Sequence, residues 1–230
     1  MFIPEKNAIF IFPHYTGFTM THESLGHYFD GLDSQENQEK IRSMVSFKEH
    51  SMSLMLEKKG RPYPAHPNVR TLHQHLKIPL RTVKWFATVR NPWSRYWGAY
   101  HHFLKYQRLI EKYRIQGKSF DEFVLDQEII NKGRFFMFND YLQPLHIHLA
   151  FLHSKDVIVF RPDLFSHFIK FESFNSDMEK VADILDISVK HVEIRHKKNT
   201  YVNEMSDVAK DCIYRMCQKE IRAFKYEFEE

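Results

Sequence analysis

Cysteine is nearly missing from this chain: Cys212 and Cys217 are the only two in 230 residues. So small a number excludes a disulfide framework and a cysteine-based zinc site. A five-residue spacing within a helical pattern is also a poor geometry for bridging the pair to each other. Glycine and proline are sparse, at 7 and 9 residues, which leaves little room for disordered linkers. No apolar run approaches the length needed to span a bilayer, and the opening Met1-Phe2-Ile3-Pro4-Glu5-Lys6 lacks the charged-then-apolar pattern of a secretion signal. Charge of one sign is lacking too, since 33 basic against 29 acidic residues leave a formal net charge of +4. That mild excess suits an anionic small molecule at least as well as nucleic acid, and no basic stripe marks a nucleic-acid surface. A soluble, reducing, cytoplasmic setting with neither membrane nor nucleic-acid partner is the expectation. There is also no G-x-x-x-x-G-K-[ST] motif and no obvious magnesium carboxylate after a strand, which argues against a P-loop kinase or nucleotide hydrolase.

What is abundant is apolar and aromatic material. Hydrophobic residues make up 43% and aromatics 15%, with 21 Phe, enough for a large core in a single domain spanning residues 1–230. Ala8 to Phe12 reads as a buried strand, followed by a turn and a helix from near Phe18 to about Phe29. Residues 31–64 are polar, in part helical over Gln38 to Leu56, and end in the breaker Gly60-Arg61-Pro62-Tyr63-Pro64. Val69 to Leu76 reads as a short helix before a second strand at Lys84 to Val89. Ser119-Phe120-Asp121-Glu122 matches a capping box opening another helix. Asp156 to Phe160 and Phe168 to Phe171 read as strands, Asp177 to Leu185 and Asn203 to Phe224 as amphipathic helices. Strands alternating with helices predict an α/β domain with a mainly parallel sheet flanked by helices.

The segment from Phe86 to Tyr100 is the most informative. A β-branched and aromatic strand runs into a helix whose first turn accepts Pro92, since a missing N–H costs nothing there. Trp93, Tyr96, Trp97, Tyr100, Phe103 and Leu104 then recur at helical spacing and predict one apolar face, with Ser94, Gly98, His101 and Lys105 on the other. Arg90 therefore stands at the carboxyl end of a strand and beside a helix N-terminus, the place where open α/β sheets bind ligands and where a helix favours an anion. Read from the residues alone, Arg90 fits two roles, an anion ligand or a buried arginine paired with a carboxylate.

The pattern V-R-N-P-W-x-R-x-x-x-A-Y over Val89 to Tyr100 resembles the 3′-phosphate-binding segment of sulfotransferases that use 3′-phosphoadenosine-5′-phosphosulfate (PAPS), closest to the carbohydrate-type and related bacterial members. Three further segments are similar in the same order. Ile9-Phe10-Ile11-Phe12-Pro13-His14-Tyr15-Thr16-Gly17-Phe18-Thr19 falls where the family carries its 5′-phosphosulfate loop, approximately I-F-I-H-I-P-K-T-G-G-T. The stretch His66 to Leu76 looks like the segment K-H-x-T-x-x-x-L. Phe168 to Asp177 resembles I-x-R-F-E-x-L-x-x-D, where Glu172 reads as structural. Arg195-His196-Lys197-Lys198-Asn199 falls where the family has a basic loop, and Ile221 to Phe228 echoes its closing D-x-x-x-F-G-Y. The resemblance covers nearly everything except residues 31–64.

The resemblance implies a P-loop-like sulfotransferase fold and transfer of a sulfuryl group from PAPS to a hydroxyl acceptor, a small molecule or a carbohydrate, without a metal. It implies that Tyr15, Thr16, Gly17, Phe18 and Thr19 cradle the phosphosulfate through main-chain N–H groups and a hydroxyl. Arg90 would hold the 3′-phosphate, with Lys198 or Lys197 closing over it unless that loop is merely solvated. His66 is the candidate base, a role suited to an imidazole of near-neutral pKa, while His73 and His75 read as solvent-facing. This chain departs from the family pattern at three places. Tyr15 stands where the loop lysine is expected, Phe18 where a small residue is expected, and Gly98 where the family's serine joins the arginine. His14 either takes the lysine's part in its protonated form or faces water while Tyr15 only packs. Ser94 lies one turn before Gly98, about 6 Å along the helix axis, which reads as too far to reach the same phosphate oxygen without a shift. The alternative is a protein of this fold that binds the nucleotide without turnover. Fifteen histidines are many for this length, so most read as surface or satisfied core residues. Phe135, Phe136 and Phe138 read as core first, acceptor platform second and subunit contact third.

Overall fold

The computed structural model describes residues 2–29, 83–133, 142–152, 158–194 and 201–228. In chain order the elements are β1 (Phe2–Ile3), β2 (Ala8–Ile11), α1 (Phe18–Phe29), β3 (Lys84–Val89), α2 (Pro92–Leu104), α3 (Gln107–Tyr113), α4 (Phe120–Gly133), β4 (Ala150–Leu152), β5 (Ile158–Phe160), β6 (Phe165–Lys170), α5 (Phe174–Leu185) and α6 (Asp207–Phe224). They fall into two compact units, one of residues Met1–Val89 with Ile147–Ile194, the other of Arg90–His146 with Arg195–Glu230.

The first unit is α/β. Its sheet runs in the order β1-β2-β3-β6, with β2, β3 and β6 parallel and the two-residue β1 antiparallel on the edge. Ile9 lies opposite Trp85 and Ile11 opposite Ala87, and on the other side of β3 Thr88 lies opposite Ile169. Trp85 to Val89 are all buried, as expected for a central strand of a parallel sheet covered on both faces. Phe10 stacks on Phe86 with ring centroids 4.8 Å apart. These two rings join Leu25 of α1 with Phe174, Met178, Val181 and Leu185 of α5 in one buried cluster. Burying an aromatic of this size fully is worth roughly 1.5–3 kcal/mol each, so this cluster fixes how α1 and α5 cover the sheet.

Three junctions in the first unit depart from the sequence expectation. Of the strand expected at Asp156 to Phe160, the described part, Ile158–Phe160, is extended and joins a separate two-stranded sheet, antiparallel to β4. Its partner lies a few residues upstream, and closing so short a loop costs little entropy. The strand expected at Phe168 to Phe171 begins earlier, at Phe165, and gives way to a single 3₁₀ turn over Phe171–Ser173. The helix expected from Asp177 starts at Phe174, because that residue's side chain is fully buried beside the sheet. Expectations for 38–56 and 69–76 lie outside the described residues, as do Phe135, Phe136 and Phe138.

The second unit is helical. The capping box forms as its residues predict: Glu122 N–H donates to Ser119 Oγ at 3.3 Å, and Ser119 N–H donates to the Glu122 carboxylate at 2.7 Å. Phe123 of α4 meets Tyr100 and Phe103 of α2 at centroid distances of 5.4 and 5.9 Å. The long helix expected from Asn203 is divided. A single turn over Tyr201–Glu204 precedes α6, and Ser206 caps α6 by accepting from Ala209 N–H at 3.2 Å while donating to Asp121 of α4 at 2.6 Å. Among the described residues no helix is long and apolar enough to cross a membrane.

Candidate functional site

Two strand-to-helix junctions carry the residues that the sequence singles out. The first follows β2. Pro13 ends the extended run, His14 and Tyr15 make a turn, and Tyr15 is in the left-handed region at φ +65. A bulky residue there is uncommon and costs of order 1–2 kcal/mol. Gly17 has φ +115, where a side chain is strained, and a Cβ on it would lie 3.3 Å from the ring of Phe171. The Gly17 carbonyl accepts the first helical hydrogen bond of α1, from Thr21 N–H at 3.0 Å, so Gly17 caps the helix. The first turn of α1 contains no acidic side chain, and its leading amides have no partner within the helix.

Side chains of this turn divide sharply. Thr16 is fully buried, and its hydroxyl lies 2.6 Å from the Pro13 carbonyl and 2.6 Å from the Thr88 hydroxyl of β3. What Thr16 offers a ligand is therefore its main-chain N–H. Phe18 packs edge-on against Phe12, with centroids 5.4 Å apart, and its half-buried ring lies against the core. That packing is how a residue as large as Phe18 fits at the start of the helix. Thr19 is exposed. His14 and Tyr15 are half-buried, with ring centroids 6.3 Å apart.

The second junction follows β3. Asn91 caps α2, its side-chain oxygen accepting from Trp93 N–H at 3.1 Å and from Ser94 N–H at 3.5 Å. Its side-chain amide donates to the Glu227 carbonyl at 2.9 Å, which ties the C-terminal stretch to the helix start. Pro92 occupies the first turn as predicted. Arg90 is half-buried, and its guanidinium folds back over the helix. Its Nε and Nη2 donate to Ser94 Oγ at 3.0 and 2.8 Å. One turn further, an ideal Cβ built on Gly98 would lie 3.3 Å from Nη1 and 3.5 Å from Nη2. The 6 Å between Ser94 and Gly98 is thus spanned by the arginine itself.

The apolar face of α2 is broader than the spacing predicts. Pro92, Trp93, Ser94, Arg95, Tyr96, Ala99 and Phe103 are buried, whereas Trp97 and Tyr100 are half-buried and Leu104 is 38% exposed. Arg95 is one residue that the sequence does not single out. It is fully enclosed, it donates through Nη2 to the Gln143 carbonyl, and its guanidinium carbon lies 5.5 Å from the Tyr96 ring centroid. The available signal was its place on the same helical face as Pro92 and Ala99. Glu220 of α6 is also fully buried and accepts from Leu145 N–H at 3.0 Å and from His146 Nδ1 at 2.5 Å. Burial pushes its carboxyl up, but His146, Cys217 and Arg95 outweigh that and hold it below the usual glutamate range. Burial pushes the Tyr96 phenol well up.

A second missed residue is Asp177, at the junction after β6. It is buried, and its carboxylate accepts from Lys170 N–H at 2.9 Å, Ser173 Oγ at 2.8 Å, His167 Nε2 at 3.1 Å and Lys180 Nζ at 2.9 Å. Burial alone would raise its pKa, yet these bonds, led by His167 and Lys180, hold it far below the ordinary aspartate value. Glu172, read as structural, is exposed on the 3₁₀ turn. His66 and Lys198 lie outside the described residues, as do His73, His75 and Lys197. Among the described residues no group of His, Cys, Asp or Glu has the arrangement of a metal site. No protein family, no curated protein and no solved structure matches this chain.

Proposed function

We propose that this chain is a PAPS-dependent sulfotransferase that moves a sulfuryl group to a hydroxyl acceptor, with a carbohydrate as one candidate. The observation that carries the reading is Arg90, a cation one residue past a parallel strand, beside a capped helix start, with its guanidinium held in place by Ser94. An arginine in that setting suits a phosphate, which accepts several charge-assisted bonds at once. The turn after β2 supplies a second set of donors of a different kind. Its glycine at positive φ and the amides at the start of α1 suit the phosphosulfate end of such a substrate.

The reaction proposed is in-line displacement at sulfur. The acceptor hydroxyl oxygen forms the new S–O bond, the bond from sulfur to the bridging phosphate oxygen breaks, and the hydroxyl proton passes to a base, for which His66 is the candidate. Negative charge collects on the departing phosphate oxygen, and stabilising it is where rate is gained. His14 in its charged form and the Tyr15 phenol are the groups beside the loop for that purpose. Lysine is absent from this position, and a phenol donates one hydrogen bond without bringing charge.

That last point supports a second reading, a nucleotide-binding protein of the same kind without turnover. Incubation with labelled PAPS and a panel of hydroxyl acceptors separates the two. Transfer by the wild type supports the enzyme reading. Tyr15→Lys is expected to raise the rate by about tenfold or more, since removing one charge-stabilising donor from such sites costs at least that much. Nucleotide binding without transfer in either protein supports the second reading.

A further inference from the structure

We infer that Ser94 is itself an oxyanion ligand, and that Gly98 is the space that lets Arg90 hold Ser94 in that role. A serine hydroxyl has one hydrogen and two lone pairs. Arg90 Nε–H and Nη2–H point at Ser94 Oγ from 3.0 and 2.8 Å, which occupies both lone pairs. The O–H is what remains, and among the described residues nothing accepts from it. A serine with a purely structural part in a helix commonly donates back to a carbonyl one turn earlier. Two helix-start hydroxyls elsewhere in this chain do so: Thr21 donates to the Gly17 carbonyl at 3.1 Å and Ser176 to the Ser173 carbonyl at 3.0 Å. Ser94 does not, although it is 92% buried, with a relative exposure of 8%. A hydroxyl that accepts from a cation is polarised toward donating, and its best partner is an anionic oxygen. Arg90 and Ser94 together make a compact donor set for a tetrahedral oxyanion.

Gly98 completes the device. The guanidinium lies over it, with Nη1, Nη2 and Cζ at 3.3, 3.5 and 3.7 Å from where a Cβ would be. A serine at 98, the residue the resemblance leads one to expect, pushes the guanidinium outward and loosens its grip on Ser94. Serine at 94 and glycine at 98 therefore form one arrangement around the guanidinium. The inference rests on the sulfotransferase reading only for the identity of the oxyanion as a nucleotide phosphate.

The test is calorimetric titration of the full chain with inorganic phosphate, inorganic sulfate and 3′,5′-adenosine bisphosphate, on wild type, Ser94→Ala and Gly98→Ser. Melting curves confirm that each variant is folded. Binding is expected to weaken by about tenfold or more in Ser94→Ala, because a hydrogen bond to a charged group is lost, and by several-fold in Gly98→Ser. Phosphate and sulfate binding without adenosine bisphosphate binding, with the same weakening, supports the inference while ending the sulfotransferase reading. Unchanged binding in Ser94→Ala overturns the inference, as does a wild type that binds none of the three probes. Tighter binding in Gly98→Ser overturns the part assigned to glycine.

Discussion

The turn after β2 and the turn after β3 have the same construction, a buried strand, a short break and a helix, yet they use their polar groups in opposite ways. After β2 the hydroxyl of Thr16 is consumed by the fold, bonded between the Pro13 carbonyl and Thr88. The path of that turn is shaped by the positive φ of Tyr15 and Gly17, and the side chains of His14 and Tyr15 are half-buried beside it. After β3 the main chain is capped by Asn91, and side chains carry the chemistry, Arg90 folded onto Ser94 over Gly98. A backbone site tolerates a changed side chain such as Phe18 so long as the backbone stays put. A side-chain site tolerates little, because Arg90 is fitted between the Ser94 hydroxyl and the bare Gly98. The junction after β6 is a third solution: Asp177 gathers four donors and serves the fold alone.

That contrast predicts which substitutions disturb stability and which disturb binding. The largest effect on stability is expected at the third junction. Asp177→Ala removes the acceptor shared by Lys170 N–H, Ser173, His167 and Lys180, and should cost about 3 kcal/mol in chemical unfolding. Its pH dependence is also fixed in sign. A carboxyl with a depressed folded-state pKa stabilises the fold above its unfolded value, about 3.9, and loses that contribution as pH falls through the lower folded value. The stability gap between wild type and Asp177→Asn should therefore be constant above about pH 4 and narrow below it. A gap that does not change with pH would show that the charge of Asp177 is not what the junction uses.

Next comes Thr16→Val, which keeps the shape and removes the hydroxyl, leaving the buried Thr88 hydroxyl without its partner. It should lower stability by about 2 kcal/mol and leave the affinity for adenosine bisphosphate unchanged. A tenfold loss of affinity would break the comparison, because it would put that hydroxyl on the ligand. The smallest effect is expected for Gly17→Ala, about 1–2 kcal/mol from the positive φ, together with crowding of Phe171. Here affinity should fall as well, since the backbone is what the turn offers.

Much of this architecture was legible in the residues. Lys84–Val89 and Ala8–Ile11 read as strands because β-branched and aromatic side chains cluster between turn residues. The Ser119–Glu122 capping box and Pro92 at a helix start are local chemistry that tertiary packing had no reason to override. What could not be read is long-range. Nothing near Asp177 in sequence reports that four donors converge on it, and nothing near Arg95 reports that its whole side chain is enclosed. The pairing of β5 with β4 was invisible for a related reason, since a three-residue strand carries too little pattern to name its partner. At the second junction the residues were all legible and their geometry was not. On helical spacing Ser94 reads as too far along the axis to reach the oxygen that a side chain at 98 would contact, and the spacing does not reveal that Arg90 lies across both positions.

The measurement that tests the account most directly is calorimetric titration of wild type and Arg90→Ala with 3′,5′-adenosine bisphosphate. Binding by the wild type is expected, with a loss of about 10- to 100-fold or more in the variant, as removing a charged hydrogen-bond donor requires. Arg90→Ala should melt within a few degrees of wild type, because the guanidinium is half-buried and packs over the helix rather than inside the core. Equal affinity in the two proteins, or no binding by the wild type, would contradict the claim that the β3 junction is a phosphate site.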